Sequence, residues 1–337
     1  MSNENKVPEP EYHRKFGRRT TALEVLENVD IADKIILVTG TTQGIGFETA
    51  RALALRGARV VMANRSIVRA EAVRDAIYKE TEHRKIDLIH MDLSSLQSVQ
   101  AAAEEFLKMN LPLHVLILNA GVMAPTTPTS IDGYENTFAT NHLGHFYLVH
   151  LLRSKLIESA PSRVVVVSSH SHKHTMINSN APLETKMEKL VPNPNSRSAA
   201  YMLYAYSKMC NVLFAMKLHR ELNDQRVSVY VLHPGSLIPT VLTVSAAIGR
   251  SYGVFSRIAS YFTKPFAKTA AQGASTTVLC AISPDVEQRG GRYFDDCWDD
   301  ESQLNSAMAH DQTLQDALWD RSLAYVKKYE DSRVSNA

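Results

Sequence analysis

Cysteine is scarce in this chain: Cys210, Cys280 and Cys297 are the only three in 337 residues. An odd number at wide spacing excludes a disulfide framework and a clustered zinc site, and it points to a reducing compartment, the cytoplasm being the simplest. Long apolar runs are absent as well. No stretch approaches the roughly 18 residues of a transmembrane helix, and the first thirty residues hold no signal-peptide core, so secretion is not expected. Excess charge of either sign is also missing: the formal net charge is +2, which offers no electrostatic reason to bind nucleic acid. The two tryptophans, Trp298 and Trp319, both lie late in the chain. No repeat or low-complexity tract interrupts it.

What is present is an ordinary globular composition, 45% hydrophobic and 21% charged, long enough for one large α/β domain that buries about three quarters of its unfolded surface. The basic cluster His13, Arg14, Lys15, Arg18 and Arg19 reads as a solvated tail. Residues 1–33 form an extension with a short helix, whose capping box is Thr21 with Glu24. The main domain is expected over 34–298, with a C-terminal helix and tail over 299–337.

The domain is organised around Lys34-Ile-Ile-Leu-Val-Thr-Gly-Thr-Thr-Gln-Gly-Ile-Gly-Phe47. The apolar run Ile35–Val38 is typical of a parallel strand buried on both faces. Gly40, Gly44 and Gly46 then permit a sharp turn and a close backbone approach, and they open a helix whose free N–H groups favour a phosphate. Such glycines can also serve tight packing alone, so the rest of the chain decides. A helix ending near Gly57 and the strand Arg59–Ala63 complete one βαβ unit. That strand ends at Asn64-Arg65, where an NAD-binding fold places an acid to hold the ribose hydroxyls. Arg65 stands there instead, suited to a 2′-phosphate, which predicts NADP over NAD. Asp92, at the end of the strand from Ile86, either contacts the adenine or caps the following helix.

A fourth strand, Leu113–Leu118, ends in Asn119-Ala-Gly121, with Asn119 able to tie strand ends together. A core helix begins near Gly133, and Asn141 interrupts its apolar face as a paired structural amide or an organiser of a water chain. A fifth strand, Arg163–Val167, delivers Ser169 to the same sheet edge. Residues 170–198 read as an inserted loop or lid. His170, His172 and His174 alternate there, but no further ligand residue accompanies them and no metal is expected. Tyr204 and Lys208 share one face of the helix over 199–222 at i and i+4. The sixth strand, Val227–Leu232, leads to His233-Pro-Gly235. The apolar segment 236–266 is a cover over a lipophilic pocket, a membrane-surface patch or a subunit contact. A last short strand follows at Gly291–Phe294, and a terminal helix over 314–329.

Thr39-Gly-Thr-Thr-Gln-Gly-Ile-Gly46, Asn119-Ala-Gly121, Asn141, Ser169 and Tyr204-Ala-Tyr-Ser-Lys208, in this order, resemble the signature set of the short-chain dehydrogenases/reductases. Asn141-His-Leu-Gly-His-Phe-Tyr-Leu-Val149, the run to Ser169 and His233-Pro-Gly235 are similar to the retinol-dehydrogenase-like branch. The resemblance implies a Rossmann-like, doubly wound, seven-stranded parallel sheet and an NADP(H)-dependent alcohol/carbonyl oxidoreductase acting on a steroid, retinoid or related lipid. It implies Tyr204 as general acid/base, Lys208 as its electrostatic partner and ribose ligand, Ser169 as a donor to the substrate oxygen, and Asn141 as proton-relay organiser. Cofactor contacts are expected from Gly40, Thr42, Gly44, Ile45, Gly46, Arg65, Asp92 and Asn119, with Tyr204 and Lys208. The helices over 133–152 and 199–222 flank the dimer face of many such enzymes, so a homodimer is one expectation. Pro239-Thr240 departs from the family spacing after Pro-Gly.

The chemistry agrees with these residue types. Reducing a carbonyl creates an alkoxide that must gain a proton, and a phenol near pKa 10 donates one but is a poor base at neutral pH. A lysine one turn away, together with the oxidised nicotinamide, is expected to lower that pKa. The alternative is a dinucleotide-sensing adaptor that keeps the fold and signals through partners.

Overall fold

A computed structural model describes residues 13–235 and 268–334. The cover segment 236–266, with Pro239-Thr240, lies outside the described residues. Among these, one sheet of eight strands runs in the order β3-β2-β1-β4-β5-β6-β7-β8. The strands are β1 Ile35–Thr39, β2 Arg59–Asn64, β3 Ile86–His90, β4 Val115–Leu118, β5 Ser162–Val167, β6 Val227–His233, β7 Tyr293–Asp295 and β8 Trp298–Asp299. All neighbours pair in parallel except β7 with β8.

The eighth strand is a difference from the seven expected. It comes from a two-residue hairpin turn in which Asp296 and Cys297 both adopt left-handed φ, 48° and 60°. Such turns carry a sequence signal when built from Asn-Gly or Asp-Gly, and Asp-Cys carries none.

Alternate strand residues face opposite sides, so an apolar run supplies two cores at once. Leu37, Val61, Leu116 and Val164 pack with helices α4 (Leu96–Lys108), α6 (Gly144–Glu158), α8 (Ala200–Leu222) and α11 (Gln312–Val334). Ile36, Val60, Ile117 and Val165 pack on the other face with α1 (Ala22–Val25), α2 (Gly44–Leu55), α3 (Ile67–Tyr78) and α9 (Ala270–Ile282). The Thr21/Glu24 capping box forms as expected and seats α1 against α9.

Three further expectations change. The basic cluster is not a plain solvated tail: Lys15 pairs with Asp285 at 2.9 Å, and Arg14 donates to the Asp296 carbonyl at 2.9 Å. Complementary charge at the sheet edge pins it. The 170–198 segment is not a bare loop either; it carries a 3-10 turn, His170–His174, and helix α7 (Leu183–Leu190), whose Met187 and Leu190 are buried. The helix expected from Gly133 starts as α5, Asn136–Phe138, capped by Glu135. It widens into a π-turn at Ala139–Leu143 before continuing as α6, and Asn141 sits inside that turn. Inserted π-turns displace backbone groups from the regular helical ladder and occur often at functional sites.

Candidate functional site

The sheet order reverses direction between β1 and β4, and crevices outside the carboxyl ends at such a point bind ligands. Gly40 and Asn119 flank this crevice. Gly40 has φ +72°, and a Cβ there would stand 2.8 Å from the Ala120 Cβ, so only glycine lets the turn pass beside β4. A Cβ on Gly46 would overlap the Gly40 carbonyl oxygen. Gly44, at φ +61°, has nothing within 4 Å of its would-be Cβ. Gln43 at the start of α2 makes no side-chain cap, leaving the first helical N–H groups open toward the crevice beside partly exposed Thr42 and Ile45. This arrangement fits a dinucleotide pyrophosphate.

The turn is held by its neighbours. Asn119 Nδ2 donates to the carbonyls of Thr39 and Gly40 at 2.9 and 3.0 Å, tying β4 to β1 as its sequence position suggested. Arg65 is exposed at the end of β2 and pairs with no other described residue. Asp92 Oδ1 accepts from the Ser94 N–H and hydroxyl at 3.0 and 2.7 Å, while Ser95 caps α4, so Asp92 shapes the loop before the helix instead of capping it.

The other four residues meet at the same edge. Lys208 is buried and donates to the Val167 carbonyl at 3.0 Å, its ammonium 5.6 Å from the centre of the Tyr204 ring. Burial brings its pKa down from 10.5 to about 8, which leaves the cation predominant at neutral pH. Tyr204 is partly exposed, and burial raises its pKa while a hydrogen bond with Ser169 pulls it back. Desolvation is the largest cause of that rise and the neighbouring Tyr201 adds to it, while Lys208 is not among the groups that shift it. Asn141 is fully buried: its Oδ1 accepts from Val122 N–H at 2.7 Å, and its Nδ2 donates to the Val122 carbonyl and Ser207 Oγ, both at 2.9 Å. Ser207 in turn donates to the Tyr204 carbonyl at 2.8 Å. Gly121 lies between, with a would-be Cβ 3.4 Å from both Lys208 Nζ and Asn141 Oδ1.

The alternating histidines diverge. His172 bonds the Ser169 carbonyl at 2.7 Å and the Asn305 N–H at 3.2 Å, and His174 meets Tyr201. His170 bonds Asp295 at 2.6 Å and stacks on His233 at 3.9 Å. His170, His233 and Asp295 do bring donor atoms within 4.8 Å. The cations Lys268, Arg14 and Arg18 line the adjoining cavity of about 300 Å³.

Thr39, Asn64, His145 and Ser207 all make site contacts, although in the sequence they stand only as members of its motifs, with no role of their own. For His145 the i+4 spacing from Asn141 was a further signal.

An α/β protein of the Rossmann type is the class that this crevice and its glycine turn define. Residues 34–181 match the family model for short chain dehydrogenases. The chain is 42% identical over 288 residues to the WW domain-containing oxidoreductase of Homo sapiens, covering 86% of this chain and 67% of that protein. Against retinol dehydrogenase 12 of Mus musculus the identity is 36% over 295 residues, covering 88% and 87%. A solved structure of an uncharacterized protein from Mycobacterium paratuberculosis superposes with a TM-score of 0.64 at 27% identity, covering 92% of this chain and 98% of that one. This chain belongs to the short-chain dehydrogenase/reductase family and has retinol-dehydrogenase-like relatives. The family binds nicotinamide cofactors. Among the described residues no helix is long and apolar enough to cross a membrane.

Proposed function

We propose that this protein interconverts a lipophilic alcohol and its carbonyl compound with NADP(H), in the cytoplasm. The observation that carries this reading is the convergence of Tyr204, Lys208, Ser169 and the Asn141 turn on one sheet edge, beside an open helix start and an exposed Arg65. The glycine turn would hold the pyrophosphate, Arg65 the 2′-phosphate and Lys208 the ribose. When bound, the dinucleotide supplies or accepts the hydride. Tyr204 passes its proton to the carbonyl oxygen, Ser169 donates a hydrogen bond to that oxygen, and cationic Lys208 favours the phenolate left behind. The buried free cysteines suit a reducing compartment.

Purified protein with NADPH and a panel of steroid, retinoid and other lipid carbonyls tests this. Turnover should fall by about two to four orders of magnitude in Tyr204→Phe, the usual weight of a lost general acid. Turnover that survives Tyr204→Phe removes the proposed acid, and NADH serving as well as NADPH removes the role of Arg65. NADPH binding without turnover across the panel would favour the adaptor alternative.

A further inference from the structure

The dinucleotide turn and the Asn141 turn are joined by a single ring. Thr39 Oγ1 accepts the backbone N–H groups of Asn119 and Ala120, each at 3.0 Å. Both hydroxyl lone pairs are thereby used, so its proton must go elsewhere. The His145 Nε2 lies 2.9 Å away and is the acceptor. With Nε2 accepting, the ring proton sits on Nδ1, which donates to the Asn141 backbone carbonyl at 3.1 Å. Four groups from three elements, the end of β1, the turn after β4 and the π-turn, thus depend on one tautomer. All of this is buried: Thr39 and Asn141 are fully enclosed and His145 is 2% exposed. Burial and nearby Lys208 bring the His145 pKa to about 3, so the ring stays uncharged at neutral pH. The Asn141 side chain is committed to Val122 and Ser207, so its two ends are held separately: the amide by those partners and the backbone carbonyl by His145.

We infer that His145 is a positioning residue that locks the Asn141 carbonyl and the Thr39-Gly40 turn into one unit, coupling cofactor seating to the proton-transfer end of the site. This inference rests on the oxidoreductase reading for its catalytic arm; its cofactor arm does not.

The two arms can be separated with amide side chains. An asparagine nitrogen falls near the position of His Nδ1, and a glutamine amide reaches near Nε2. His145→Asn should keep the donor to Asn141 and lose the partner of Thr39, so NADPH binding weakens about tenfold while kcat stays within about threefold. His145→Gln should show the reverse, with NADPH affinity near that of the parent and kcat down about tenfold or more. In the double variant Thr39→Val/His145→Asn, the NADPH loss should not exceed that of Thr39→Val alone, since both remove the same bond. Equal losses in kcat and affinity for both single variants, tracking their melting temperatures, would overturn the inference. So would failure of either to fold, because the ring would then be serving the core. If the parent protein binds NADPH but turns nothing over, the oxidoreductase reading fails, and the NADPH affinities of the same variants still decide the Thr39 arm.

Discussion

Asn64 and Thr41 form a closed pair: Asn64 Oδ1 accepts the Thr41 backbone N–H at 2.7 Å, and Asn64 Nδ2 donates to the Thr41 hydroxyl at 2.8 Å. The last residue of β2 thereby grips the glycine turn after β1 from the side opposite Asn119. Asn64→Ala leaves a buried N–H and hydroxyl unpaired, and about 1–3 kcal/mol of stability should be lost. Denaturant unfolding reads the loss, and a parallel fall in NADPH affinity would report loosening of the turn. Unchanged unfolding would show that Thr41 finds another partner.

The glycines of that turn should respond unequally. Gly46→Ala puts a methyl into the Gly40 carbonyl oxygen, backbone against backbone, so α2 must shift and NADPH binding should be abolished. Gly44→Ala meets no atom but must hold φ near +61°, a cost of about 1–2 kcal/mol, with binding weakened and not lost. Calorimetric titration with NADPH separates the two cases, and equal behaviour would mean that backbone freedom alone is at stake.

Lys208 sets a trade between stability and activity. Its pKa falls from 10.5 to about 8 on burial, so between those values the unfolded chain holds more protons than the folded one. Folding stability contributed through this group therefore rises with pH over that window. At neutral pH, Lys208→Met removes a buried cation and should stabilise the fold by up to about 3 kcal/mol, less the value of the bond to Val167, while abolishing turnover. Urea unfolding near pH 7 and again near pH 10 should show the gain shrinking at the higher value. A loss of stability at both would place the bond to Val167 above the desolvation cost.

Helix α11 packs against α6 and α8, the helices that flank the dimer face in many members of the family resembled. Trp319 meets Phe146 edge-on with ring centres 5.0 Å apart and stacks on Phe214 at 6.0 Å, and Ser322 bonds His142 at 2.9 Å. Tyr329 lies against Tyr147 at 5.9 Å. Trp319→Ala should cost about 3 kcal/mol. Ending the chain before Gln312 bares an apolar face, and light scattering should then report a larger species than the full chain. A truncated chain that stays the same size and melts as the parent does would show that α11 is dispensable.

The sequence by itself determined what rests on local pattern. A short run rich in β-branched residues before a glycine turn favours a strand buried on two faces, glycines at fixed offsets open a helix, and Tyr204 and Lys208 share a face because four residues make about one turn. These cues located seven of the eight strands and put Gly40, Gly46, Asn119, Tyr204 and Lys208 at one sheet edge. Tertiary structure alone decided how those residues are held and charged. His145 meets Thr39 across 106 positions, Arg14 meets Asp296 across 282, and the Asp296-Cys297 hairpin bends without a glycine. Desolvation, which moves Lys208 and Tyr204 in directions that spacing cannot foretell, depends on everything folded around them. Contacts within one turn or one pleat are written in the order of residues; contacts that depend on which distant segment arrives beside which are settled only when the chain closes on itself.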